Sequence, residues 1–375
     1  MSNPKSLICL MVAIMFAPLT FARDSHQLDK NSFAGKYRTE KVVNNVSIPW
    51  GITQLPNSVL LVSERSGKLL AFKPNQLTAI EVSGLPDIDD NGQGGLLDIA
   101  LSPSYHKEPW LYFTYASSSG QGRGSNTALA RALLNEKTWQ LEQVQVLYKG
   151  QENTTSGRHY GSRIAFDDKG FVYFSIGDRG DRDTNPQDLS RDGGKIYRLH
   201  LDGRIPDSNP FIKGERPAVY SYGHRNPQGL LFDQNTKKLW SHEHGPRGGD
   251  EINLVEAGKN YGWPVISYGI NYIGTKFTDL TEKEGMEQPS LYWDPSIAPS
   301  AFIKVTSEKY PKLKNKYLLG SLKFGYIVVI TVEQGNVVNQ QQLLSDLGRV
   351  RSLHQGIDGT IYIGLDGGGI KKLIN

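Results

Sequence analysis

One pattern returns six times along this chain of 375 residues, and it constrains the fold more than any other feature. An apolar stretch runs into a tight turn built from Pro, Asp, Asn, Gly, Ser or Lys. A second run, rich in Val, Leu, Tyr and Phe, follows it. The copies occupy 50–64, 97–115, 162–177, 228–240, 300–321 and 350–364. Each reads as a β-hairpin, because β-branched and aromatic runs suit a pleated, half-buried surface while Asp-Gly and Asn-type turns reverse the chain. An irregular β-sandwich has no reason to repeat one hairpin six times, whereas blades packed radially around a channel do. The expected fold is therefore an all-β six-bladed propeller, with extended loops between the more widely spaced copies. Its chemistry is expected at the channel mouth, where loops from every blade converge.

The first residues carry a different signal. Lys5 precedes an apolar run over 7–21, and Thr20 and Ala22 place small residues where signal peptidase needs them. Cleavage is expected after Ala22, leaving 23–375 as one propeller domain in the periplasm or outside the cell. A retained membrane anchor is the alternative, but the run falls short of the roughly 20 residues of a comfortable span. Cys9, the only cysteine, lies in this leader, so the mature chain has no disulfide and depends on its core and on bound ions. Forty-two basic and 38 acidic residues, evenly spread, give a formal charge of +4 and no nucleic-acid or membrane-binding face.

Polar clusters sit between the hairpins. Asp90-Asn-Gly-Gln-Gly-Gly95 offers the Gln93 amide on a turn that allows close backbone approach. In Gly157-Arg-His-Tyr-Gly-Ser-Arg163, His159 is a candidate general base near neutral pH. Arg225 and Asn226, in Tyr222-Gly-His-Arg-Asn-Pro-Gln-Gly229, can together grip a carboxylate and a carbonyl, while His224 reads equally well as a core histidine. His242 and His244, two apart on a strand, point the same way, yet no HExxH spacing or cysteine supports zinc. Glycines beside Asp250 and Glu251 suit calcium better, since it takes carboxylates and carbonyls in flexible geometry. Lys323 follows Gly320-Ser-Leu. Arg349 and Arg351 flank Val350, and alternation puts both on one face, able to meet an anion jointly. The tripeptide Arg179-Gly-Asp181 reads as an incidental turn.

Taken together these clusters resemble the soluble pyrroloquinoline quinone (PQQ) dependent sugar dehydrogenases, most closely their aldose sugar dehydrogenase branch. The likeness runs from about Trp50 to Gly364. It rests on Gly92-Gln-Gly-Gly-Leu-Leu-Asp98, His159-Tyr-Gly-Ser-Arg163, Gly223-His-Arg-Asn-Pro-Gln-Gly229, Glu243-His-Gly-Pro-Arg-Gly-Gly-Asp-Glu-Ile-Asn253 and Asn260-Tyr-Gly-Trp-Pro264 in that order. It implies a six-bladed propeller that oxidises aldoses to aldonolactones and hands electrons to an external acceptor. His159 would be the catalytic base. Lys323, Arg349, Arg351 and Arg225 would meet the three carboxylates of PQQ, with Gln93, Asn226 and Tyr272 as further cofactor contacts. Calcium at the cofactor would be held partly by the carbonyls of Gly245 and Pro246, and a second, structural calcium by Glu251 and Tyr261. The resemblance departs at Arg158, where the glucose dehydrogenase branch has an acidic residue, so a broad aldose range is implied rather than glucose alone.

Two other functions fit the fold. A calcium-dependent lactonase or related hydrolase would hold its metal with Glu, Asn and Asp and would not need the cluster of cations. A non-catalytic sugar-binding propeller would not need a base opposite them.

Overall fold

The computed structural model describes residues 28–375. The expected leader and the cleavage expected after Ala22 lie outside that range. Six four-stranded antiparallel sheets follow one another along the chain. Their innermost strands are Pro49–Gln54, Leu96–Leu101, Ile164–Phe166, Pro227–Asp233, Pro299–Lys304 and Val350–Gln355, and each lies against the next around a ring that closes from the last to the first. Their second strands are Leu60–Glu64, Trp110–Ser117, Phe171–Ile176, Lys238–Glu243, Tyr317–Ser321 and Ile361–Leu365. The six sequence repeats fall on these inner hairpins, and the fold is the six-bladed β-propeller.

Closure uses the two ends of the described chain. Arg38–Val43 pairs antiparallel with Gly369–Ile374 and becomes the outermost strand of the sixth blade, with Arg38 opposite Ile374. The apolar cores lie between blades. In one, Tyr112 and Leu129 of the second blade meet Val172, Phe174 and Tyr197 of the third, with Phe174 stacked on Tyr197 at 4.9 Å. Packing on both faces explains why Leu60–Glu64 is buried throughout rather than alternating. No helix among the described residues is long and apolar enough to cross a membrane.

Near the channel, polar side chains join one blade to the next. Ser63 Oγ donates to Leu97 O, Thr114 Oγ1 to Ser162 O at 2.8 Å, and Ser175 Oγ to Pro227 O at 3.1 Å. Ser300 Oγ donates to Val350 O at 2.6 Å and Ser352 Oγ to Pro49 O at 2.7 Å, which completes the circuit. Between the fourth and fifth blades histidines take this place: His244 Nε2 reaches Pro299 O at 2.7 Å and His242 Nε2 reaches Ala301 O at 3.3 Å. Both imidazoles do point the same way, toward backbone carbonyls. Gly229 makes room for His242, since a Cβ there would come within 2.0 Å of its ring.

Arg163 ties four blades at the centre. Its guanidinium bonds Asp98 Oδ1 at 2.9 Å and Gln228 O at 3.0 Å, and lies 4.0 Å from the centre of the Trp50 ring. Asp98 Oδ2 accepts from Ile164 N at 2.9 Å. Burial raises the Asp98 carboxyl against the pull of Arg163, so the pair adds little net stability while intact. Removing one partner would strand a buried charge, which costs far more. Asp98→Ala is therefore expected to lower unfolding free energy by about 3–5 kcal/mol. Ser352→Ala, which strands only a neutral carbonyl, should cost about 1–3 kcal/mol. Equilibrium urea unfolding tests the order, and an Asp98→Ala protein as stable as wild type would refute the account.

Candidate active site and cofactor cleft

The functional residues collect at one end of the channel, where inner strands begin and second strands finish. Gln93 precedes the strand starting at Leu96, Arg225 and Asn226 precede Pro227, and Arg349 precedes Val350. Asp178 follows the strand ending at Ile176, His244 the one ending at Glu243, and Asp366 the one ending at Leu365. In five blades the inner pairing slips register close to this end, at Pro49/Gly51, Leu96/Ile99, Pro227/Gly229, Ser300/Phe302 and Val350/Ser352. Such bulges bend the strand and re-aim side chains, here at the mouth of the channel.

His159 stands in the loop before the third inner strand, with φ of +55°, a conformation costly for a residue with a side chain. Three contacts hold it there. Its backbone N donates to Gln93 Oε1 at 2.9 Å, its Nδ1 meets Asp178 Oδ1 at 2.6 Å, and its carbonyl lies so close to Gly177 that a Cβ would approach within 2.3 Å. Asp178 is fixed in turn by Trp263 Nε1 at 2.9 Å and Gly180 N at 2.7 Å. With Nδ1–H donating to the carboxylate, Nε2 is the basic nitrogen left for the cleft.

Burial lowers the His159 pKa below its ordinary 6.5. Asp178 pulls it up, and the Arg225 and Arg158 charges push it down again. Burial would raise Asp178, but the hydrogen bond from His159 and nearby positive charge outweigh it and leave the carboxyl below its usual value. The resting pair is thus a neutral imidazole beside a carboxylate.

Two adjoining hollows share Gln93 as a wall. The outer one, about 510 Å³, exposes His159, Arg158, Arg225, Pro246, Trp263 and Tyr272. The inner one, about 550 Å³, lies over the channel and exposes Asn226, Gln228, His244, Arg349 and Arg351. Arg225 Nη1 donates to His244 O at 3.0 Å, while its buried Nε has no partner among the described residues. Arg349 and Arg351 do share a face, because Asp366 gathers them: Arg351 binds it through Nε at 3.0 Å and Nη2 at 2.9 Å, and Arg349 Nε lies 3.2 Å away. Tyr272 stands on the outer rim, 71% exposed. Lys323 is exposed, with Nζ 5.0 Å from the Phe324 ring centre, and borders neither hollow. Three of the four expected cations are therefore brought to the site and the fourth is not.

The residues expected at calcium divide in the same way. Asp250 accepts from Gly245 N at 2.8 Å, Ser296 Oγ at 2.6 Å and Ala298 N at 2.8 Å, which folds the 244–250 loop beside Arg225. A Cβ on Gly245 would meet the Gly248 carbonyl at 2.2 Å, so the loop closes only around glycine. Glu251 follows that loop in the strand Asp250–Val255, opposite Glu243. Burial and the neighbouring Glu243 charge raise its pKa, and Asn253 Nδ2 bridges the two carboxylates. The Tyr261 hydroxyl donates to Leu254 O at 2.6 Å and accepts from Glu256 N at 2.9 Å. Among the described residues no group of three or more His, Cys, Asp or Glu side chains is placed to hold a metal, so an ion here would draw on backbone oxygens. His224 is a core histidine: fully buried, bonded to Ser221 Oγ and Glu243, and stacked on Tyr261.

Asp178 and Asp366 were not singled out in the sequence. The available signal was topological, since each follows the second strand of a hairpin repeat as His244 does. The Asp178 contact can be tested directly. Because the carboxylate raises the His159 pKa, Asp178→Asn should move it still further below 6.5, as followed by imidazole NMR. A His159 titration unchanged in that variant would dismiss the pairing.

The profile of the glucose/sorbosone dehydrogenase family matches residues 46–373. An aldose sugar dehydrogenase of Escherichia coli is 35% identical over 95% of this chain and 93% of its own. The crystal structure of the soluble aldose sugar dehydrogenase from Escherichia coli in its apo-form superposes with a TM-score of 0.86 at 35% identity, covering 90% of this chain and 99% of that one. The PQQ-bound form of an aldose sugar dehydrogenase from Streptomyces coelicolor gives 0.73 at 27% identity, over 90% of this chain and 97% of its own. Fold, motif order and extent of match agree: the chain is an oxidoreductase of the glucose/sorbosone dehydrogenase family.

Proposed function

We propose that this protein, exported and trimmed after Ala22, oxidises aldoses at the anomeric carbon to aldonolactones with PQQ and calcium, and passes the electrons to an external acceptor. The observation that carries this reading is the Asp178-held imidazole of His159 in a cleft that opens onto a hollow lined with guanidinium and amide groups. A planar tricarboxylate suits that donor set. Arg349 and Arg351 present a net positive charge after pairing with Asp366, Arg225 has a buried N–H to donate, and Gln93 and Asn226 add amides. Calcium suits the glycine-folded loop at Gly245 and Pro246, with Glu251 and Tyr261 as ligands of a second ion. Tyr272 would border the cofactor from the rim. Lys323 would have to swing inward to take part.

When bound, PQQ would supply the two-electron acceptor for the anomeric hydride, and calcium the Lewis acid that favours its reduction. The chain's own residues do the rest. His159 Nε2 accepts the proton of the anomeric hydroxyl. Asp178 keeps the imidazole in the required tautomer and stabilises the charge that forms on it. Burial and Arg225 keep the ring neutral until substrate arrives, as a base must be. Trp263, whose N–H holds Asp178 and whose ring lies 5.3 Å below Arg225, links the base to the cation. A calcium-dependent hydrolase on this fold would have no use for guanidinium groups gathered beside the base.

Reconstitution with PQQ and calcium tests the proposal over a panel of aldoses. Aldose-dependent dye reduction with a shifted quinone absorbance is expected, and its absence over the whole panel would overturn the assignment. His159→Gln should keep PQQ binding and lower turnover about 10²–10⁴-fold. Arg351→Ala should instead weaken PQQ binding by about tenfold or more.

A further inference from the structure

We propose that a second, separate pocket behind the catalytic loop binds a small oxyanion, a phosphate or the carboxylate of a sugar acid. The pocket, about 260 Å³, lies where 151–154 at the edge of the second blade face the loop over 179–192 of the third. Arg179, Arg191 and Arg216 line it, with Asn126, Asn185 and Ser190 between them.

Arg179 marks this as a built site rather than a surface dimple. It is 1% exposed, and its guanidinium lies 3.4 Å from the Tyr160 ring centre. Its terminal nitrogens donate to Arg158 O and Ser125 O, while its buried Nε has no partner among the described residues. A buried guanidinium N–H left without an acceptor is costly, and an oxyanion in the pocket would satisfy it.

The carboxylates present leave guanidinium N–H groups of the pocket without hydrogen-bond acceptors. Asp192 is taken up by Tyr148 Oη at 2.6 Å, Tyr197 Oη at 2.8 Å and Gln151 N at 2.8 Å. Arg216 Nε lies 3.3 Å from the same carboxylate, outside hydrogen-bond geometry. Asp181 stands 3.9 Å from Arg191, a loose contact at the edge, and Glu152 is exposed. Behind the lining, burial depresses Lys149 to about 8 and Lys195 to about 7, while Asp192 pulls both the other way. Arg179 Nε and Arg216 Nε are thus buried without a hydrogen-bond acceptor among the described residues, and a bound oxyanion would supply one. Asp181 borders both this pocket and the His159 cleft, and Arg179 directly follows Asp178, so the ligand would rest on the back of the loop that positions the base.

The test is a titration of the mature protein, loaded with PQQ and calcium, with inorganic phosphate and in parallel with gluconate. Thermal melting and calorimetry would read it. A saturable rise in melting temperature is expected with at least one of them. Arg191→Ala and Arg216→Ala should each weaken it about tenfold or more, and Arg349→Ala, which alters the other anion-attracting hollow, should leave it in place. A response to gluconate alone assigns the site to sugar acids, and a response to phosphate alone assigns it to inorganic anion. In arginine side-chain NMR the Arg179 Nε–H resonance should move on binding, which avoids mutating a buried residue. The proposal fails if neither ligand gives a saturable response, or if Arg349→Ala removes it while Arg191→Ala does not. The same titration on protein without PQQ keeps this outcome independent of the sugar-oxidation assignment.

Discussion

The structure depends on one constraint: six inner strands converge on a channel, and the backbone groups there must find partners in a neighbouring blade. Buried polar backbone groups left unpaired are expensive. The ring formed by Ser63, Thr114, Ser175, Ser300 and Ser352, with His242 and His244 where serine is replaced, answers that need. All but the Thr114 contact, which enters the unbulged third blade, reach the next blade's inner strand close to its bulge. The groups that stitch the blades together therefore also set where each channel-facing loop begins, and hence how precisely the site above them is placed.

Electrostatics at that site follow from the same geometry. Charges brought together by convergence are oriented by carboxylates and carbonyls around the channel mouth. Asp366 draws Arg349 and Arg351 into one anion-seeking pair. Asp178 orients His159 while burial keeps it neutral. Asp98 holds Arg163 away from the cleft at the centre of the ring. Asp366 takes up only part of the positive charge of its two arginines, so the site is organised without being neutralised. That suits a cleft that must attract an acidic cofactor and still contain a neutral base.

Much of this was legible in the residues. The hairpin at 350–364 could be placed from its Ile357-Asp-Gly-Thr turn and flanking apolar runs, because strand and turn chemistry are local. The pairing of Arg349 with Arg351 followed from strand alternation. His159 stood out as a histidine in a glycine-flanked loop. Lys323 shows the limit: proximity in sequence to a channel strand places the backbone, but the side chain turned to Phe324. Asp178 shows the converse, since nothing in Gly177-Asp-Arg-Gly180 distinguishes it until the third blade brings His159 and Trp263 against it.

The sequence by itself determined the blade count, the position of each inner hairpin and the set of polar loops, all consequences of short-range periodicity and turn preference. Only the tertiary structure decided which polar groups neutralise one another and which remain open. That division depends on contacts between residues 15 to 303 positions apart, from Arg351 with Asp366 to Ser352 with Pro49. Closure of the ring sets those distances, and no local rule of propensity or alternation encodes them.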